Sequence, residues 1–127
     1  MEDINLHDYF INKFELDFDN QEASLFCTFE DRKTKGGVKF GGFLASKLED
    51  IQAGNIILDI EEWDIPSFIR VEGEYLKSRK NYAWPMPSES LDDLQEKLIN
   101  NEYRVWWLSP TYGIGGYIIA KTVMCLN

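Results

Sequence analysis

Few side chains in this sequence have the types and spacing that catalysis or metal binding requires. His7 is the one histidine among 127 residues, and the two cysteines are Cys27 and Cys125. A zinc site takes about four Cys or His ligands, and these three residues do not cluster. His7 stands beside Asp8, and a serine or thiol would reach it only through the fold. We therefore expect no metal, no cofactor and no enzymatic activity.

Two segments match ligand-binding loops only in part. Gly113-Ile114-Gly115-Gly116 resembles a dinucleotide fingerprint, but Ile118 stands where that motif needs its third glycine, and the residues that follow favour a strand. A calcium loop starting at Asp17 would need Gly at its sixth position and Glu at its twelfth. The sequence has Glu22 and Thr28 there, so neither loop is predicted.

Charge narrows the classes of partner. The chain has 22 acidic and 13 basic residues, a formal net charge of −9. Nucleic acids and anionic membranes are bound through clustered Lys and Arg, so we expect neither as a partner. An acidic surface attracts basic proteins, although charge also serves solubility alone.

Compartment is predicted from the N-terminus and the cysteines. The first residues are acidic and lack the layout of a signal peptide, and no apolar run reaches the length of a membrane span. Cys27 and Cys125 lie in apolar strand patterns, which favours buried free thiols over a disulfide. These features predict a soluble cytoplasmic protein.

The most suggestive surface is a run of acids around a tryptophan. Period-two alternation from Asn55 to Trp63 places Asp59, Glu61 and Trp63 on one face of a strand. Aromatic anchors surrounded by steering charges are common at protein interfaces. The alternative is a core tryptophan with solvated acids around it. The predicted protein-binding residues are Asp59, Glu61, Trp63, Asp64, Glu72 and Glu74.

That surface depends on how residues 65–79 fold. Ile69, Val71, Gly73 and Tyr75 alternate with polar residues, and the glycine disfavours a helix. We therefore favour a strand, which would set Glu72 and Glu74 beside the strand ending at Trp63. Asp64 followed closely by Pro66 is the opposing signal, because that pair is typical of a helix start.

A helix is predicted near 90–100. Ser90 with Asp93 three residues later resembles a capping box. Leu91, Leu94 and Leu98 share one apolar face, so we expect Leu94 and Leu98 to be buried.

The rest of the sequence predicts strands around an aromatic hairpin. Residues 103–108 and 117–126 are rich in aromatic and β-branched residues and flank a loop with Pro and Gly. The first of these strands is apolar on both faces, which predicts a central position. Further strands are predicted near 10–18, 24–30, 38–44 with a bend at Gly41-Gly42, and 55–63. The fold class is α+β: one domain over residues 1–127, with six to seven mostly antiparallel strands and one helix packed on them.

Short motifs in the N-terminal half resemble a group of small, β-rich bacterial proteins. They are Leu6-His7-Asp8, Val38-Lys39-Phe40-Gly41-Gly42 and Gly54-Asn55-Ile56-Ile57, within residues 6–60. Some members of this group are similar to immunity proteins, which block a cognate toxin by binding it. The resemblance implies a cytoplasmic binding protein without catalysis and transfers no functional residue.

Three functional hypotheses follow. The first is a non-catalytic, immunity-type protein that neutralises a basic protein partner through the acidic, Trp-bearing face. The second is a small-ligand-binding protein or enzyme with an aromatic pocket built from Tyr82, Trp84, Trp106 and Tyr112. The third is a structural subunit of a homo-oligomer, which a large self-complementary apolar patch would favour.

Overall fold

The computed structural model describes residues 4–126 and confirms the α+β class. Eight antiparallel strands form one sheet in the order β4-β7-β6-β5-β1-β2-β3-β8, and two helices accompany them. The strands are β1 Phe10–Asp17, β2 Glu22–Thr28, β3 Lys35–Gly41, β4 Ala45–Glu49, β5 Ile56–Trp63, β6 Arg104–Tyr112, β7 Gly115–Ala120 and β8 Thr122–Leu126. The helices are α1 Ile65–Arg79 and α2 Leu91–Asn100, and a 3-10 turn at Lys80–Tyr82 follows α1.

The sheet folds over on itself through two bent strands. β4 continues β3 after a bend, β8 continues β7 after Lys121, and the two long strands pair along their length. The predicted bend at the glycine pair is present: Gly42 has φ +63, and a Cβ there would lie 2.9 Å from the Lys121 side chain. Glycine is favoured where φ is positive and two chains approach this closely. No strand was predicted at β4, which lies between the predicted strands at 38–44 and 55–63.

Two hydrophobic cores result. The inner core lies within the folded sheet and the outer core lies between the helices and the outer face of β6 and β7. The buried inner-core residues are Leu6, Ala23, Leu25, Cys27, Val38, Phe40, Ile57, Ile60, Trp106, Leu108, Ile114, Ile118 and Ala120. The buried outer-core residues are Ile65, Phe68, Ile69, Leu76, Leu94, Leu98, Val105, Tyr117 and Ile119.

Strand β6 is central, as its two apolar faces predicted. It pairs with β5 on one side and β7 on the other. Trp106 and Leu108 enter the inner core, whereas Val105 belongs to the outer core. The second half of the predicted hairpin was wrong as one strand, because Lys121 divides it into β7 and β8.

Helix α1 corrects the favoured strand at 69–75. Its N-cap is Asp64, whose side chain accepts from the Ser67 backbone N–H at 2.8 Å. Proline is tolerated in a first helical turn because no intrahelical acceptor is needed there. Gly73, which argued against a helix, is where α2 comes close: a Cβ there would lie 3.4 Å from Leu91 Cδ1. Tertiary packing thus outweighs the propensity of one residue.

Helix α2 confirms the predicted helix. Ser90 caps it by accepting from the Asp93 backbone N–H at 3.1 Å. Leu94 and Leu98 are buried, as predicted. Within residues 4–126, no helix is both long enough and apolar enough to cross a membrane.

Candidate functional site

Strand β5 presents two neighbouring carboxylates to solvent. Asp59 and Glu61 are exposed, and a bulge near Leu58 resets the alternation so that Ile57 and Ile60 are both buried. Glu61 lies opposite Trp107 of β6 and Asp59 lies opposite Ser109. Since Trp107 packs on the outer core, this register places both acids on the helix-facing side of the sheet.

The two carboxyl groups interact with each other. A hydrogen bond with Asp59, and then the repulsion between the two negative charges, raises the pKa of Glu61 above its usual range. Neither acid makes an ion pair within residues 4–126. Asp59 and Glu61 are thus two neighbouring acids of one strand face that have no cation partner among the described residues.

Trp63 is half-buried and belongs to a stack of aromatic rings. Its ring lies 4.7 Å from that of Trp107 with an interplanar angle of 17°. Trp107 in turn stacks on Tyr117 at 5.3 Å and 29°. The stack runs from the exposed end of β5 into the outer core, so the core and surface interpretations of Trp63 each describe part of its environment.

Asp64 caps the N-terminus of helix α1. Its carboxylate accepts from the Ser67 backbone N–H and, at 2.9 Å, from the Ser67 hydroxyl. These bonds lower the pKa of Asp64, as expected for a helix cap that works in its charged form. We therefore assign Asp64 to the start of α1 rather than to a binding face.

Glu72 and Glu74 do not lie beside β5, because residues 65–79 are helical and β5 pairs with β1 and β6. The Glu74 side chain is 97% exposed, and within residues 4–126 its one ion pair is with Lys77, at 4.0 Å. The Glu72 side chain is 14% exposed and accepts from Lys47 Nζ at 3.1 Å. Of the six predicted binding residues, only Asp59, Glu61 and Trp63 share a face.

On the other face of β5, Glu62 is paired with a cation. Arg104 Nε donates to Glu62 Oε2 at 3.0 Å, and the guanidinium also lies over the Trp106 ring at 4.8 Å. The side-chain hydrogen bond to Glu62 raises the pKa of Arg104. Glu62 is therefore neutralised on one face of β5, whereas Asp59 and Glu61 on the other face have no cation partner among the described residues.

The sequence did not predict a polar cluster beneath α1. The Lys47 ammonium bonds Glu72 and lies 3.9 Å above the Tyr75 ring. The Tyr117 hydroxyl is buried beside Glu72, yet it makes no hydrogen bond of good geometry with the described residues. Burial first, and the Glu72 charge second, raise the pKa of Tyr117. Lys47 lay outside every predicted element and Tyr117 lay in an apolar run, so no motif linked them.

The predicted aromatic pocket does not form. Trp106 is buried in the inner core, while Tyr82 and Tyr112 are 71% and 62% exposed. Of the four residues, Trp84 lines two clefts of the described structure: one of about 360 Å³ between α1 and α2, and one of about 370 Å³ beside β4.

The nucleophile candidates are not assembled. His7 is exposed; its Nδ1 lies 2.7 Å from the Leu58 carbonyl and its Nε2 lies 3.4 Å from Asp8. Burial raises the pKa of the Cys27 thiol to about 12, so this group stays protonated and weakly nucleophilic. Among residues 4–126, no three His, Cys, Asp or Glu side chains are grouped as metal ligands would be.

No protein-family model matches the chain, and neither a curated protein nor a solved structure matches it. The resemblance of residues 6–60 to immunity-type proteins stays a prediction.

Proposed function

We propose that this chain is a non-catalytic, immunity-type binding protein of the cytoplasm that neutralises a basic protein partner. The observation that carries the proposal is the placement of Asp59 and Glu61 on one exposed face of β5. The two acids are exposed, share one face of β5 and lack a cation in the described structure. The binding face is defined as Asp59, Glu61 and the neighbouring ring of Trp63.

A cationic side chain of a partner would offset the repulsion between the Asp59 and Glu61 carboxylates. A Lys or Arg placed between the two carboxylates would favour the ionised form of Glu61 and replace repulsion with charge-assisted hydrogen bonds. The half-exposed Trp63 ring would add apolar contact area and a cation–π surface. Asp59 and Glu61 therefore supply specificity, and Trp63 supplies the anchor.

The charge of the whole chain supports the same class of partner. A net charge of −9 speeds encounter with a basic protein and slows encounter with another acid. That long-range contribution is screened over about 8–10 Å at ordinary ionic strength. The short-range contribution of the binding face is screened less, and this difference allows the two to be separated experimentally.

The test compares two variants with equal net charge. Asp59→Asn with Glu61→Gln removes the binding face's charge, and Glu74→Gln with Glu96→Gln removes the same charge from exposed helical positions. Each protein serves as bait in cell extract, and a partner recovered by the parent is purified for association and dissociation rates at low and high salt.

We expect the β5 variant to lose the partner and the helix variant to retain it. Dissociation from the β5 variant should be at least about tenfold faster at both salt concentrations, because contacts between charges are lost. The helix variant should associate more slowly than the parent at low salt, and this difference in rate should disappear at high salt. Equal binding by the two variants would place the interface elsewhere and reject this face.

A further inference from the structure

The cleft between α1 and α2 combines an apolar floor with lips of opposite charge. Its volume is about 360 Å³, which lies within the range of small-molecule sites in proteins, about 300–1,000 Å³. Four apolar side chains line the floor: Leu76, Trp84, Leu91 and Leu94. Leu76 and Leu94 are buried, and the other two pack against the outer core.

The lips come from different parts of the chain. Lys77 and Lys80 stand on the side formed by α1 and its 3-10 turn, and Glu89 and Asp92 stand on the side formed by α2 and the loop before it. Lys80, Glu89 and Asp92 make no ion pair within residues 4–126, and Lys77 has only the distant, exposed Glu74. The two lips therefore keep charges that a ligand can meet.

The acidic lip is held in place. The Glu89 backbone N–H donates to the Asp93 side chain at 2.8 Å, and Asp93 is in turn paired with Lys97 at 3.1 Å. Lys97 Nζ also donates to the Pro87 carbonyl at 3.1 Å. The loop carrying Glu89 is thus tied to α2 from both ends, so the separation of the lips is set by the packing of the helices.

We propose that this cleft binds a small zwitterion with an apolar body, of the size and chemistry of an apolar dipeptide. The carboxylate of the ligand faces Lys77 and Lys80, its ammonium faces Glu89 and Asp92, and its side chains cover the floor. Charge complementarity decides the class: a purely anionic ligand leaves the acidic lip unpaired, and a purely cationic one leaves the lysines unpaired. This site is separate from the binding face on β5.

Three probes with the same body test the assignment. Leucyl-leucine carries both charges, N-acetyl-leucyl-leucine carries only the carboxylate, and leucyl-leucine amide carries only the ammonium. Binding is followed by the shift of the Trp84 indole N–H signal in a nitrogen–proton correlation spectrum, assigned with Trp84→Phe. We expect leucyl-leucine to bind at least about fivefold more tightly than either singly charged probe.

Two double variants identify the lips. Lys77→Gln with Lys80→Gln should weaken leucyl-leucine and the acetylated probe about fivefold but leave the amide unchanged. Glu89→Gln with Asp92→Asn should do the reverse. Lys33→Gln with Lys35→Gln, in the turn before β3 and at the first residue of β3, is the matched control for lost positive charge and should change nothing.

The proposal is overturned if no probe gives a saturable shift, if the three probes bind equally, or if the control variant weakens binding as much as the cleft variant. Far-UV circular dichroism and thermal unfolding of each variant establish that the helices are intact, since all four substituted cleft residues are exposed.

Discussion

The two hydrophobic cores differ in what they contain. The inner core consists of apolar side chains and the thiol of Cys27, supplied by the strands, by Leu6 before β1 and by Ile114 in the turn between β6 and β7. In the outer core, the rings of Phe68, Trp84 and Trp107 contact the Tyr117 ring. The Tyr117 hydroxyl lies beside the Lys47–Glu72 ion pair. Each proposed binding site includes a tryptophan that contacts an outer-core ring: Trp63 contacts Trp107, and Trp84 contacts Tyr117.

This contrast indicates that the two cores have different roles. In the inner core, burial of apolar area and close packing stabilise the folded sheet, and no buried ion pair of residues 4–126 contributes. The helices then cover one outer face of the sheet and leave clefts and half-exposed rings where their coverage ends. Binding features concentrate there because rims combine apolar surface with charged residues in solvent.

The largest expected loss comes from the inner core. Phe40→Ala removes a ring that is 1% exposed and packs 5.2 Å from the Trp106 ring. Deletion of a buried aromatic ring costs about 3–5 kcal/mol. Urea unfolding followed by tryptophan fluorescence measures this cost, and a loss below about 1 kcal/mol would mean that the folded sheet is not the main source of stability.

The outer core is tested by Leu98→Ala, since the Leu98 side chain of α2 is fully buried. We expect a loss of about 2–5 kcal/mol. Far-UV circular dichroism and tryptophan fluorescence should still report one shared transition, because β6 and β7 contribute side chains to both cores. Separate transitions would show that the helical layer unfolds independently of the sheet.

Much of this fold was predictable from local patterns. Alternation located β1, β2, β3 and β5, and the apolar face with its Ser90 cap located α2. The pattern failed at residues 69–75, where alternate polar residues fit a strand and a half-covered helix equally well. The contacts with α2 and β7 that decide between them come from distant parts of the sequence.

Tyr117→Phe probes the polar part of the outer core. The hydroxyl is buried without a well-formed hydrogen bond, and the Glu72 carboxylate is already paired with Lys47. Removing an unsatisfied buried hydroxyl should raise the unfolding free energy by about 1 kcal/mol. Loss of stability instead would show that Tyr117 donates to Glu72 and that the cluster is a complete network.

The candidate sites were less predictable than the fold. Strand alternation placed Asp59, Glu61 and Trp63 together, because one local period sufficed. It misplaced Glu72 and Glu74, whose assignment depended on the element type of residues 65–79. The α1–α2 cleft requires a helix–helix contact that no periodicity encodes, so only the folded chain brings its two lips together.

The smallest expected effect concerns the carboxylate pair on β5. Because Asp59 raises the pKa of Glu61 in the folded state, the folded protein binds more protons than the unfolded chain above the ordinary glutamate pKa of about 4.3. The contribution of Glu61 to stability therefore falls as pH rises through this window. Glu61→Gln should accordingly raise the melting temperature at pH 7, and the gain should vanish near pH 4.

Glu96→Gln on α2 is the control for charge alone, since Glu96 is exposed and forms no ion pair within residues 4–126. Equal gains from both variants at pH 7 would mean that only the net charge matters, and β5 would then carry no local repulsion for a partner's cation to relieve.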